Sequence, residues 1–369
     1  MDLFQKCHDF TDAVALREQG AYPYFIPLDK NEGTEVIYEG RRIIMCGSNN
    51  YLGLTTHPKV RQAAIDAIAE YGTSCTGSRF LNGNMTMIED LEKELAAWVG
   101  KEAALVFSTG MQTNLGTISA LVGKDDIIIM DKEDHASIVD GAFLSGGKIE
   151  RFRHNDMDHL ERVLKSLPEE KGKLLVVDGL FSMEGDIAPL PRMVELCAEY
   201  GVRLMVDDAH AFGVLGGGRG TAAHFSLTDK VDLIMSTFSK SMASIGGFIA
   251  GDFAVVDYIK HHARSLIFSA SIPPANTATV LAALQVMKEE PERIERVNQN
   301  GAFMRQGFKK LGFDTGASCT PVVPIIIGDD ARTFESWRRL FEEGVFVNPV
   351  ISPAKIGRAS CRERVYHPV

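Results

Sequence analysis

The sequence predicts an α/β protein, with a large domain built on a mostly parallel sheet and a smaller α+β domain after it. Three observations point there. Six short apolar runs alternate with helical segments: "AALVFST" (103–109), "DIIIMD" (126–131), "KLLVVDG" (173–179), "VRLMVDD" (202–208), "VDLIMST" (231–237) and "GGFIAG" (246–251). Most are continuous rather than alternating, as in strands covered on both faces. From "EPERIERVNQNGAFMRQGFKKLG" onward the chain reads as a separate α+β unit. With 369 residues, 45% of them hydrophobic, it can bury one large core and a second, smaller one.

The elements come in this order. Residues 1–58 form an N-terminal segment, mostly polar up to "YPYFIPLD", whose two prolines disfavour a regular helix. "TEVIYEGRRIIM" (34–45) reads as a β-hairpin turning at Glu39-Gly40. The large domain, residues 59–290, opens with "KVRQAAIDAIAEYG", whose apolar residues fall at helical spacing and stop at Gly72. "IEDLEKELAAWVG" repeats the pattern and stops at Gly100. The six strands come next, and residues 291–354 make the small domain. The last stretch, 355–369, "KIGRASCRERVYHPV", has no apolar periodicity.

Composition excludes several classes of function. The formal net charge of −10 leaves no basic footprint for nucleic acid. No apolar run reaches the length of a membrane span, and "MDLFQKCHDFTDA" lacks a basic region followed by an apolar one, so a cytoplasmic protein is expected. The cysteines, Cys7, Cys46, Cys75, Cys197, Cys319 and Cys361, form no C-x-x-C pair and read as reduced thiols. "GAFLSGGKI" has the wrong glycine spacing for a P-loop, and "VLGGGRG" does not fit a dinucleotide fingerprint. His261 and His262 are adjacent on a helical stretch and face different directions, so no metal site is expected.

Ligands of open α/β sheets bind beyond the carboxyl ends of the strands, so the residues just after each run are the candidates for a site. Thr109-Gly110-Met111 comes after the first run and opens a helix. His135 comes after the second, Ser182 after the third, and Asp207, Asp208 and His210 at the end of the fourth. Thr237, Ser239 and Lys240 close the fifth. Singly, each has an ordinary explanation as a surface lysine, a cap or a turn residue. Together they are the set that pyridoxal phosphate (PLP) chemistry needs. A lysine forms a Schiff base, a carboxylate keeps the pyridine nitrogen protonated, and a flat side chain stacks on the ring. Helix-start N–H groups and hydroxyls hold the phosphate. The small residues of "MSTFSKSMASIGGF" would let such a cofactor approach Lys240 closely.

Eight segments, in order, carry a resemblance: "SNNYLGL", "GSRFLNG", "FSTGMQTNLG", "DHAS", "DGLFSMEGDIAPLP", "VDDAHAFGVLGGGRG", "TFSKSMASIGGF" and "RSLIFSASIPP". They resemble the α-oxoamine synthases, PLP-dependent enzymes of fold type I, from about residue 22 to Ala354. "YPYF", "HHARSLIFSAS" and "EEGVFVNPVISPA" are most similar to the bacterial serine palmitoyltransferase branch.

The resemblance implies a decarboxylating condensation of an amino acid with an acyl-CoA, L-serine and palmitoyl-CoA giving 3-oxosphinganine being the leading pair. The sister activities are 8-amino-7-oxononanoate synthase, 2-amino-3-ketobutyrate CoA ligase and 5-aminolevulinate synthase. It implies that Lys240 forms the Schiff base and removes the α-proton, that His135 stacks on the ring, and that Asp207 pairs with the pyridine nitrogen. His210 and Ser182 would lie near the phenolic oxygen, with Gly110, Met111, Thr237 and Ser239 around the cofactor and Asn49 near the amino acid. Ser269 and Ser271 resemble the segment that reaches the neighbouring subunit's phosphate, which implies a homodimer with shared sites.

Two departures stand out. Met111 replaces the family's usual aromatic residue. After "NPVISPA" the family continues through a segment bearing a carboxylate-binding arginine, whereas 355–369 reads as a foreign tail on an incomplete small domain. Arg358, Arg362 and Arg364 lack the surrounding motif and do not inherit that role. A non-catalytic partner subunit is the rival of another class, and an ordinary aminotransferase is a third reading. The intact Lys240, His135 and Asp207 favour an enzyme.

Overall fold

The computed structural model describes residues 2–351 and the backbone of 362–366. Seven strands form the central sheet: β1 (Ala103–Phe107), β2 (Ile127–Asp131), β3 (Lys148–Phe152), β4 (Lys173–Asp178), β5 (Arg203–Asp207), β6 (Leu233–Thr237) and β7 (Gly247–Gly251). Their order is β1-β7-β6-β5-β4-β2-β3. Only β7 runs antiparallel, between β1 and β6; the other neighbours are parallel.

The continuous apolar runs have the expected cause. Along each strand successive side chains enter opposite layers. Ile127, Ile129, Leu175, Val177, Leu204 and Val206 join one core; Ile128, Met130, Leu174, Val176 and Met205 join the other. Helices Thr86–Val99, Leu190–Tyr200 and Pro274–Glu289 cover the first face, and Gly110–Leu121, Ala136–Ser145 and Phe253–His262 the second. With both faces buried, no polar alternation is possible.

β3 has no counterpart among the six apolar runs. It is an edge strand, paired only with β2, and its sequence "KIERF" leaves Lys148 and Arg151 exposed. Charge on an edge strand discourages further pairing and also hides the strand from an apolar reading.

After two short N-terminal helices, Gln5–His8 and Asp12–Glu18, the two helices expected from sequence match their stops. Pro58–Tyr71 begins with proline in its first turn and ends at Gly72, φ 79°. Thr86–Val99 ends on Gly100 in the left-handed region, φ 72°. The hairpin pairs Glu35–Tyr38 with Arg41–Met45, and its turn residues Glu39 and Gly40 have φ of 49° and 74°. Two consecutive positive φ values are what a two-residue hairpin turn requires.

The N-terminal hairpin meets a strand from near the other end of the described residues. Val345–Phe346 adds in parallel to Arg41–Met45, so the N-terminal hairpin and the small domain share one sheet. A further sheet holds Val322–Ile326 and Asn348–Val350, with the backbone of Arg362–Tyr366 paired antiparallel between them. The rest of the 355–369 stretch, Arg358 included, lies outside the described residues.

Candidate active site

The carboxyl ends of β4, β5 and β6 and the starts of helices Gly110–Leu121 and Ala136–Ser145 surround a cavity of about 310 Å³. Its wall contains Gly110, Met111, His135, Asp207, His210, Thr237, Ser239 and Lys240, so eight of the residues expected from sequence come together. Larger hollows lie at the amino ends of the strands, about 670 Å³, and on the small domain, about 1280 Å³. Neither contains a histidine in its wall.

The glycine turn sets one wall. Thr109 caps its helix by accepting the Gln112 N–H at 3.1 Å. The first-turn N–H groups of a helix have no intrahelical acceptor, and here that turn opens at the cavity. The helix start rests directly on the sheet: a Cβ on Gly110 would lie 2.7 Å from Thr237 Oγ1, and one on Gly247 would lie 2.9 Å from Gly110 Cα. Thr237 Oγ1 donates to Gly246 O at 3.0 Å and lies 2.9 Å from Ser239 Oγ. Helix-start amides beside two hydroxyls can bind an anion.

Asp207 sits at the floor, 3% exposed. Its Oδ1 accepts the Ala209 N–H at 2.9 Å and its Oδ2 accepts Asn114 Nδ2 at 2.7 Å. Asn114 Nδ2 also lies 2.8 Å from Ser137 Oγ, which is 2.7 Å from His135 Nδ1. The His135 ring stands exposed in the cavity. His210 Nδ1 is held 2.7 Å from the hydroxyl of Tyr51, a residue of "SNNYLGL" that is 3% exposed.

Behind His135 lies a brace of buried carboxylates. The His135 N–H donates to Asp178 Oδ2 at 3.1 Å, and the Asp178 N–H donates to Asp134 Oδ1 at 2.9 Å. Asp134 Oδ2 accepts the Asp131 N–H at 2.8 Å, so β2 and β4 are tied at their ends. Burial first, then the negative charge of Asp207, push the Asp178 carboxyl well above its ordinary range; Lys240 acts in the other direction. Asp134 is raised too, by burial and then by Asp178 and Asp131.

His154 completes this layer. Its Nδ1 is 3.0 Å from Asp131 Oδ1 and its Nε2 is 3.0 Å from Asp186 Oδ2. Burial alone would push its pKa down. The two carboxylates outweigh that and raise it to about 10, so His154 is an imidazolium at neutral pH.

Ser182, Asn49, Asp208, Ser269 and Ser271 stand outside the cavity wall, Ser269 with its Oγ accepting Gln112 Nε2 at 2.8 Å. Ser182 is in the loop after β4, which the backbone carbonyl of Gly185 ties to the small domain through Cys319 N–H and Thr320 Oγ1. Asn49 lies two residues before Tyr51, with its Oδ1 buried and without a hydrogen-bond partner among the described residues. Ser271 is 8% exposed and its Oγ likewise has no partner among them. Sequence reasoning alone does not single out Asn114, Ser137, Asp178 or Tyr51. Asp178 ends one of the six apolar runs, and that position was the available signal.

As a whole the site offers an amine at Lys240, a buried carboxylate, a flat ring and an anion-binding helix start. That arrangement suits Schiff-base chemistry on a phosphorylated aromatic aldehyde.

Comparison with known proteins agrees. The aminotransferase class I and II family matches residues 41–364. The serine palmitoyltransferase of Sphingobacterium spiritivorum is 52% identical over 95% of this chain and 88% of its own length. The 8-amino-7-oxononanoate synthase of Thermoanaerobacter pseudethanolicus is 41% identical over 92% of this chain and 86% of its own. A solved serine palmitoyltransferase from S. paucimobilis, with bound PLP-myriocin aldimine, superposes with a TM-score of 0.96 at 34% identity, covering 99% of this chain and 93% of that one. With its strand order, its cavity and these relatives in agreement, the chain belongs to the class I and II aminotransferase family, and within it to the α-oxoamine synthases.

Proposed function

We propose that this protein is a PLP-dependent acyltransferase that condenses L-serine with palmitoyl-CoA, losing the serine carboxylate as CO2 and releasing CoA. The observation that carries the reading is the convergence of Lys240, Asp207 and His135 on one cavity. The buried Asp207 carboxylate, the close-packed Gly110 turn and the paired hydroxyls of Thr237 and Ser239 fit the cofactor's ring nitrogen and phosphate. When bound, pyridoxal phosphate supplies an aldehyde that condenses with amines and a ring that accepts an electron pair from the substrate's α-carbon.

The chain's own groups divide the remaining work. Lys240 Nζ would hold the cofactor, and its amine would serve as the base that takes the amino acid's α-proton. Asp207 would keep a proton on the ring nitrogen, and the bonds from Asn114 and the Ala209 N–H fix its oxygens for that task. His135 would stack on the ring and orient the amino acid. His210, held by Tyr51, would face the cofactor's phenolic oxygen, and Ser182, in the loop after β4, would approach it from outside the cavity wall.

The reading includes a cytoplasmic homodimer with shared sites. Phe80, Leu81 and Phe268 are 62%, 78% and 74% exposed, which is apolar surface of the kind a partner covers. Ser271 sits on the same ground, its N–H bonded to Gly77 O at 2.9 Å and its Oγ without a partner among the described residues. No described helix is long and apolar enough to cross a membrane. Cys7, Cys46, Cys75, Cys197 and Cys319 are free thiols, which suits a reducing compartment.

A substrate panel tests the assignment. Serine, alanine, glycine and threonine are each offered with long and short acyl-CoAs, and the ketone product is identified by mass. Serine with palmitoyl-CoA is expected to give 3-oxosphinganine. Exclusive use of alanine with a pimeloyl donor would move the protein to the 8-amino-7-oxononanoate branch. Activity only after mixing with a homologous chain would make it a partner subunit.

A further inference from the structure

We propose that Asn114 and Ser137 are positioning residues that fix the tautomer of His135. They hold its ring proton on Nε2 and couple that ring to Asp207 through one directed hydrogen-bond chain. The directions follow from the groups themselves. A carboxylate oxygen only accepts, so Asn114 presents its NH2 to Asp207 Oδ2 at 2.7 Å. Turning the amide over would set its carbonyl oxygen against the carboxylate, so the assignment is fixed. The same NH2 donates its second proton to Ser137 Oγ at 2.8 Å. The Ser137 hydroxyl lies 2.7 Å from His135 Nδ1 and has a proton to offer it. The Ser137 backbone N–H, which can only donate, reaches the same Nδ1 at 3.2 Å.

Nδ1 is therefore an acceptor from two donors, and the proton of the neutral ring is on Nε2. The relay is well placed to hold that state. Asn114 and Ser137 are 1% and 2% exposed, so water does not compete for these bonds. His135 is also the residue that caps helix Ala136–Ser145 with this ring nitrogen, so its rotation and its tautomer are set together. Without Asn114 the Ser137 hydroxyl loses the donor that orients it, its proton is less firmly directed at Nδ1, and the other tautomer forms more readily.

The proposal rests on the PLP reading for its catalytic meaning, but its first test does not need the cofactor. Nitrogen NMR of ring-labelled histidine, with the His135 signal assigned by its loss in His135→Gln, reads the tautomer in the cofactor-free chain and again after adding PLP. The wild type is expected to show Nε2–H. Asn114→Ala should raise the Nδ1–H fraction about fivefold, as loss of one hydrogen bond of ordinary strength implies. Ser137→Thr, which keeps a hydroxyl, should behave as the wild type. In the loaded enzyme Asn114→Ala should lower kcat/KM for the amino acid about tenfold while leaving the KM for acyl-CoA in place. A wild-type Nδ1–H signal overturns the proposal whatever the variants do. So does an Asn114→Ala chain that is folded and keeps both the wild-type tautomer and the wild-type kcat/KM. Failure to take up PLP would instead sink the functional reading and leave the tautomer result standing.

Discussion

Replacing His154 by glutamine removes a positive charge held between Asp131 and Asp186, both at 3.0 Å. The Asp131 side chain is 0% exposed, so its carboxylate cannot turn to water when the imidazolium goes. Breaking a fully buried pair in this way costs about 3–5 kcal/mol. Here Asp131 keeps the N–H groups of Glu133 and Asn155, each at 2.9 Å, and His154 is partly exposed. A loss of about 2–3 kcal/mol at pH 6 is therefore expected. The pH dependence has a definite sign. The folded pKa, about 10, lies above the ordinary histidine value of 6.5, so the stabilisation is complete below 6.5 and is lost as pH rises toward 10. The gap between the two proteins should narrow across that window by at most about 1.4 kcal/mol per pH unit. Urea unfolding of wild type and His154→Gln at pH 6, 8 and 9.5 measures it. A difference that is constant with pH, or grows as pH rises, would refute the clamp.

Gly110→Ala should weaken PLP affinity by one to two orders of magnitude, as roughly 1–3 kcal/mol of overpacking is taken up at the helix start, because the added Cβ lands 2.7 Å from Thr237 Oγ1; titration of the visible absorbance reads the change. Glu92→Ala should cost about 3–5 kcal/mol of stability, because it strands the buried Arg79 guanidinium and the Val106 N–H that the Glu92 carboxylate now satisfies. Thermal unfolding checks that, and a loss under about 1 kcal/mol would mean that Arg79 finds adequate partners in Asn84 and the Val106 carbonyl.

The strands and their ends were legible because both faces of the sheet are buried, which turns each strand into an apolar run with its first polar residues at the site edge. Lys240, His135 and Asp207 could be found by reading those ends. Asn114 could not, because its partner Asp207 is 93 residues away and nothing local marks it. Tyr51 and His210 are 159 residues apart and meet only when the N-terminal segment folds against the strand ends. β3 was hidden by its own charges at the sheet edge. Ser182, which the family resemblance puts near the cofactor, lies in the loop after β4, whose Gly185 carbonyl accepts from Thr320 Oγ1, a long-range contact with no sequence signal. The parallel pairing of Val345–Phe346 with the N-terminal hairpin has no sequence signal either, since register between segments at opposite ends of the chain is set by tertiary packing alone.

The most direct test of the central claim is the visible absorption spectrum of the purified protein after incubation with PLP and removal of the excess, compared with Lys240→Ala. A Schiff base to Lys240 predicts a band in the visible range that survives gel filtration in the wild type. Borohydride should reduce it to a stable phosphopyridoxyl adduct on the peptide containing Lys240. The variant should lack both. A wild type that stays colourless, or a band and adduct that persist in Lys240→Ala, would contradict the account.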